Sequence, residues 1–241
     1  MIIMFEDKIV IVTGATGNLG RVLTKKLLDD GATVVTPYRN EETFNDLKKY
    51  VGFNSDNLFG VKGDCAIEEN MNDLARITHQ EHGRIDALFN LVGGYEGGDE
   101  LEETSEKQWN YIMDLNLKTN YLTSKAVLPY MKKQRYGKIV SVAAKPGAEN
   151  TRRRKSIPYA VSKSGVIILT EGIAEEVKDH GINANCVVPN TIDTPDNRKK
   201  YPKADFEKWV KPEEIADVMI FLASDNSKPT NGAVIPVYGK G

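Results

Sequence analysis

The sequence has little cysteine. Of its 241 residues only Cys65 and Cys186 are cysteines, far apart and without a C-x-x-C or a histidine-spaced partner, so neither a disulfide framework nor a zinc cluster is expected. Two reduced, buried thiols in a cytosolic protein would look like this, and a cytoplasmic location is the expectation. The three histidines, His79, His82 and His180, fall in hydrophilic contexts at helix ends, and no metal site is expected. No apolar run approaches the roughly 20 residues that span a bilayer. The start, MIIMFEDKIVIV, meets charged residues by its sixth position, which is not the pattern of a secretion signal. Excess charge is missing as well: 32 basic and 34 acidic residues are mixed along the chain, with a formal charge of −2. Such a chain offers no broad field to nucleic acid or an anionic membrane. Small-molecule partners are what remains.

What the chain does have is apolar content of 40%, enough for one sizeable core, and one domain over residues 1–241 is expected. Apolar, β-branched runs recur at Ile9 to Val12, Thr33 to Thr36, Asn57 to Val61, Ala87 to Val92, Lys138 to Val142, Asn183 to Val188 and Ala233 to Val237. Between them lie stretches of helical periodicity at Leu19 to Asp30, Thr43 to Tyr50, Asn70 to His82, Lys107 to Gln134, Tyr159 to Asp179 and Glu213 to Ser224. Helix stops are expected at Asp30-Gly31, His82-Gly83, Tyr136-Gly137 and His180-Gly181. Strand followed by helix, repeated, predicts an α/β fold: one doubly wound, seven-stranded parallel sheet with helices on both faces. In such a sheet the ligand crevice lies outside the carboxyl ends of the strands.

The motifs fall in those loops. TGATGNLG, after the first strand, places Gly14, Gly17 and Gly20 in a G-x-x-G-x-x-G spacing. Glycines let the backbone turn tightly against a pyrophosphate, whose charge meets N–H groups and the positive end of the next helix. Gly14, Thr16, Gly17, Asn18, Leu19 and Gly20 are therefore candidate dinucleotide-binding residues. Asp64 and Cys65 in VKGDC, with Asp64 accepting from an adenine amine, and Asn90, Val92 and Gly93 in NLVGG, beside the adenosine ribose, would extend that site. The second strand ends in Tyr38-Arg39, where an NAD site would carry Asp or Glu. A guanidinium suits a 2′-phosphate, so NADP(H) is favoured and NAD(H) is the alternative.

YAVSK, Tyr159 to Lys163, sets a phenol and an ammonium four residues apart on one helical face. At about 6 Å and an effective dielectric near 20, that charge would favour phenolate by about 3 kcal/mol. Together with the glycine turn, NLVGG, Asn116 in MDLNL and the downstream PNTIDTP, the chain resembles the short-chain dehydrogenase/reductase family from Ile9 to about Val237. The resemblance implies a Rossmann-fold oxidoreductase in which Tyr159 is the general acid/base, Lys163 binds nicotinamide ribose and lowers the tyrosine pKa, and Asn116 supports a proton-relay water. It also implies that Thr194 contacts the nicotinamide carboxamide, with Pro189 and Ile192 in the same loop, and that the protein is a homodimer or homotetramer. Three positions depart from the pattern. The glycine spacing matches the extended or NmrA-like branch; Pro189-Asn190 replaces proline-glycine; and the catalytic serine position aligns with Ala144. Ser141, three residues earlier on a period-two strand, should face the other way.

A donor lost from a developing oxyanion costs about 100- to 1000-fold, which a strongly electrophilic acceptor would feel least. NLVGGYEGG and VPNTIDTPDNRKKYPKADFEKW resemble the dihydropteridine reductase branch, which implies a quinonoid dihydropterin as one such acceptor. Ala144 is thus placed beside the substrate. The run Arg152, Arg153, Arg154, Lys155 before the tyrosine is read either as a solvated or subunit-contact loop or as a site for an anionic substrate. The leading expectation is an NAD(P)H-dependent reductase of an activated C=N or C=O group. The alternatives are a non-catalytic dinucleotide sensor of NmrA-like type and an ordinary ketone or alcohol dehydrogenase.

Overall fold

Among the residues that the computed structural model describes, 4–151 and 153–240, seven strands pair in parallel in one sheet. They are β1 (Ile9–Thr13), β2 (Thr33–Tyr38), β3 (Leu58–Lys62), β4 (Ala87–Asn90), β5 (Gly137–Val142), β6 (Ile182–Pro189) and β7 (Val234–Val237), in the order β3-β2-β1-β4-β5-β6-β7. The helices are α1 (Asn18–Asp29), α2 (Glu41–Val51), α3 (Glu68–His82), α4 (Glu106–Met113), α5 (Thr119–Gln134), α6 (Lys145–Ala148), α7 (Ile157–Val177), α8 (Pro195–Lys200) and α9 (Pro212–Ala223). No described helix is long and apolar enough to cross a membrane.

The β1 sequence IVIVT shows why the strands read as continuous apolar runs. Val10 and Val12 join one core with Leu23 and Leu27 of α1 and Ile215 and Met219 of α9. Ile11, between them, joins the other with Leu74 of α3, Met131 of α5 and Val177 of α7. Both faces of the sheet are covered, so both strand parities must be apolar, and each such side chain stabilises the fold by about 1.5–3 kcal/mol. From β1 the chain winds outward through β2 to β3 and then crosses to β4 on the other side of β1. That reversal leaves a crevice at the carboxyl ends of β1 and β4.

Helix ends follow the expected chemistry in three places, with Gly31, Gly83 and Gly181 at φ 87, 77 and 69. At Tyr136-Gly137 the left-handed residue is instead Arg135, φ 54, and Gly137 opens β5, where a Cβ would come within 2.5 Å of the Met131 sulfur. Two larger departures bear on function. The long helix expected over 107–134 is divided into α4 and α5 by a π-helical turn, Asp114–Lys118. The loops after β5 and β6, expected to be irregular, contain α6 and α8.

Candidate active site

The crevice at the switch point is a cleft of about 810 Å3. At its floor, Thr13 Oγ1 accepts from Leu91 N at 3.1 Å, tying the end of β1 to the chain leaving β4. Gly14 turns the backbone at φ 69, and a Cβ there would lie 3.0 Å from Val92 N. Gly17 N donates to Gly14 O at 3.0 Å, and Gly17 then serves as the N-cap of α1 with no side-chain cap. A Cβ on Gly20 would overlap Gly14 O and Ala15 Cα, so only glycine lets α1 pack so close to the turn. Gly93 is wedged similarly: its Cβ would meet Asn116 Oδ1 at 2.7 Å and Lys163 Nζ at 3.1 Å. The floor is therefore bare backbone, and the first-turn N–H groups of α1 have no side-chain oxygen to satisfy them. Those features fit the pyrophosphate of a dinucleotide.

Beyond the turn lies the chemical centre. Tyr159 and Lys163, one turn apart on α7, both line the cleft. Lys163 is 5% exposed, and its Nζ donates to Val142 O at 2.8 Å. Burial lowers its pKa to about 8, so at neutral pH it is still mostly an ammonium. Tyr159 differs from the expectation: burial pushes its phenol up rather than letting the lysine pull it down, with the Tyr95 phenol adding to the rise. Burial disfavours the charged phenolate, and the Lys163 ammonium is directed at the Val142 carbonyl instead. Asn116 is fully buried in the π-helical turn. Its Nδ2 donates to Gly94 O at 3.0 Å and its Oδ1 accepts from Gly94 N at 3.1 Å, so it pins the loop after β4. Its own carbonyl accepts from Asn120 Nδ2 at 2.8 Å. The π-helical turn directs this side chain at the Gly94 backbone, so Asn116 supports the cleft wall from behind without lining it.

The cleft also gathers Gly14, Gly17, Asn18, Leu19, Gly20, Gly93, Ala144, Pro189, Ile192 and Thr194 from the residues expected there. Thr194 Oγ1 caps α8, accepting from Asn197 N at 3.2 Å. The wall after β5 is Val142, Ala143 and Ala144. Ser141 lies on the other side, where its Oγ accepts from Asn90 Nδ2 at 3.4 Å.

Other candidates lie elsewhere. Asn90 is buried and tethered to α5, donating to Ser124 Oγ at 3.1 Å, which makes its side chain a structural tie rather than a ribose contact. The Cys65 side chain belongs to the core with Ile11, Val35 and Met71, and burial raises its thiol to about 12. Thr16 and Val92 contribute backbone, as Thr16 O accepting from Arg21 at 3.1 Å and Val92 N donating to Thr13 Oγ1 at 3.5 Å. Arg39 and Asp64 stand at the ends of β2 and β3, 3.6 Å apart as an ion pair. The run before the tyrosine, read either as a solvated or subunit-contact loop or as an anion site, forms a seam with neighbouring loops. Arg153 Nε donates to Pro146 O at 2.9 Å, and Arg154 pairs with Glu100 at 2.9 Å. Neither lines the cleft, because these cations close their loop onto the acidic loop after β4; Arg152 lies outside the described residues.

Among the lining residues that sequence reasoning left unassigned are Tyr95, Lys200, Tyr201 and Trp209. Tyr95 meets Tyr159 edge-on, centroids 5.0 Å apart. Tyr201 and Trp209 meet edge-on at 6.5 Å, and Lys200 lies between the Tyr95 and Tyr201 rings. The available signal was aromatic residues in otherwise charged, proline-containing loops, where nothing in the local pattern buries them.

A family model described as short chain dehydrogenase matches residues 8–205. The chain belongs to the short-chain dehydrogenase family. Accordingly it is an NAD(P)-dependent oxidoreductase, and a non-catalytic sensor is set aside. Among its relatives, the 3-oxoacyl-[acyl-carrier-protein] reductase FabG of Thermotoga maritima is 31% identical, with 97% of each chain covered. Dehydrogenase/reductase SDR family member 6 of Rattus norvegicus is 29% identical over the same shares. Among solved structures, levodione reductase superposes with a TM-score of 0.89 at 26% identity, covering 98% of this chain and 97% of that one. ElxO with NADP bound superposes with a TM-score of 0.90 at 26% identity, covering 96% and 97%.

Proposed function

We propose that the protein reduces an activated C=N or C=O acceptor with NADPH, and that Tyr159 is the proton donor. The carrying observation is that Tyr159 and Lys163, one turn apart on α7, line the same cleft as Val142, Ala143 and Ala144, a wall that presents no hydroxyl. The phenol is protonated at neutral pH, the form that the reductive direction needs, and efficient transfer requires its raised pKa to come down when cofactor and acceptor bind. When bound, NAD(P)H supplies the hydride. The glycine turn and α1 hold the pyrophosphate, Lys163 holds the ribose side, and Tyr159 Oη passes its proton to the acceptor heteroatom, so that C=X becomes CH–XH. Without a serine at Ala144, an acceptor that concentrates charge on one oxygen forfeits about 2.7–4 kcal/mol of stabilisation. A conjugated acceptor spreads that charge, and a quinonoid dihydropterin is one candidate.

NADPH over NADH is supported by Arg39, largely exposed at the end of β2, where it can donate two bonds to a 2′-phosphate, and by the NADP-bound relative in structure. The same reading includes a homodimer or homotetramer, supported by exposed Tyr111 of α4, Tyr121 of α5, and Val161 and Ile168 of α7, and a cytoplasmic setting, supported by two buried thiols. The test follows NADPH and NADH oxidation with quinonoid dihydropterin, quinones, imines and simple ketones. Activated acceptors should outpace ketones, and NADPH should show the higher kcat/KM. Tyr159→Phe should lower turnover by about 100-fold or more with NADPH affinity within a few-fold. Undiminished turnover in that variant would overturn the assigned proton donor.

A further inference from the structure

Along the cleft, two segments far apart in sequence bring aromatic rings around one lysine. Tyr95 comes from the loop after β4, and Tyr201 and Trp209 come from the segment after α8; all three line the cleft. Tyr95 and Tyr201 are nonetheless 49% and 43% exposed, so their rings are not consumed by the core. Between them stands Lys200, its Nζ 4.7 Å from the Tyr95 ring centroid and 5.7 Å from that of Tyr201. Of the cations in this segment, Lys200 is the one that lines the cleft, while Arg198 is neutralised by Asp193 at 2.6 Å and Lys208 by Asp205 at 3.7 Å. Among the described residues no ion pair engages Lys200. The carboxylate that also lines the cleft, Asp196, is held on the cofactor side by Asn18 Nδ2 at 2.9 Å.

Ring faces hold an ammonium in place without cancelling its charge. They leave it able to donate to an anion, and charge-assisted bonds of that kind are the strong ones. The rings meanwhile offer flat surface to a flat ligand. We propose that Lys200 is a specificity residue that binds a carboxylate carried by a planar, conjugated acceptor, whose rings pack against Tyr95, Tyr201 and Trp209. This rests on the reductase reading of the cleft and narrows its substrate class. A small neutral aliphatic ketone would use neither the charge nor the rings.

The test separates binding from turnover. Calorimetry with the NADPH-saturated protein compares 2-naphthoate with its neutral isostere 2-naphthamide, for wild type, Lys200→Met and Lys200→Arg. Wild type should prefer the carboxylate by about 10- to 100-fold; the methionine variant should bring the ratio near one, and the arginine variant should retain most of it. No preference in wild type, or a preference that survives Lys200→Met, overturns the proposal and assigns the ammonium to covering its own rings. A parallel assay compares reduction of isatin and isatin-5-carboxylate. A carboxylate preference in binding, lost in the methionine variant, with neither isatin reduced would leave Lys200 as the anion contact and count against the acceptor class of the reductase reading. Reduction of both at equal kcat/KM without that preference would do the reverse.

Discussion

Lys163 carries its ammonium in surroundings that exclude water, and this affects stability as well as chemistry. Its pKa of about 8 in the folded chain lies below the ordinary value of about 10.4 in an unfolded one. Between those values the unfolded chain holds a proton that the folded one has lost, so stability rises with pH across that window, and the full penalty applies below it. The penalty at neutral pH is ~3 kcal/mol, partly offset by the bond to Val142 O. Lys163→Met should therefore raise unfolding free energy at pH 7 by about 1–3 kcal/mol while abolishing turnover, and the gain should shrink towards pH 10.5. Urea unfolding of wild type and variant at pH 7 and pH 10 checks it. A variant less stable than wild type at pH 7 would mean that the lysine is not desolvated. Tyr159 is subject to the same desolvation with the opposite charge convention: burial favours the neutral phenol, which is the donor form.

At the scale of elements, the cofactor end depends on how closely α1 approaches the turn after β1. Gly20 sets that distance, since a Cβ there would overlap Gly14 O and Ala15 Cα. Gly20→Ala must push the first turn of α1 away from the cleft floor. The expected results are a loss of about 1–3 kcal/mol in stability and at least tenfold weaker NADPH binding, read by urea unfolding and by fluorescence titration. If both stay at wild-type values, the turn is not the tight packing contact described. The π-helical turn Asp114–Lys118 plays the corresponding part for the chemical end. It interrupts what periodicity presents as one continuous helix and directs Asn116 at the Gly94 backbone. The signal for it is weak, because a π turn differs from α only by one residue per turn and carries no composition of its own.

For the whole molecule, the outer faces of α4, α5 and α7 leave apolar side chains in water. Ile168 is 67% exposed and Tyr111 55%, and Val161 lies two helical turns before Ile168 on α7. Patches of this kind mark association surfaces. Ile168→Lys should shift the sedimentation profile from dimer or tetramer towards smaller species at micromolar concentration, since it places a charge in an apolar contact. Wild-type protein that already sediments as a monomer would remove the basis for the homo-oligomer.

The sequence by itself determined the sheet and its wrapping. Strands buried on both faces must be apolar at every position, as IVIVT is, and helices with one buried face must repeat at helical spacing. Those patterns are local and survive in one dimension. It also determined the glycine turn and the Tyr159–Lys163 pair, because each lies within eight consecutive residues. Only the tertiary structure decided what meets across the cleft. Arg154 met Glu100 and Asn90 met Ser124, so residues that individually suited a ligand were taken up by partners elsewhere in the fold. Cys65 turned into the core, and the Tyr159 phenol was raised by a burial that no four-residue spacing can convey. The ring pair around Lys200 joins residues about a hundred positions apart, and its geometry exists only once β4 and β6 end at the same edge of the sheet.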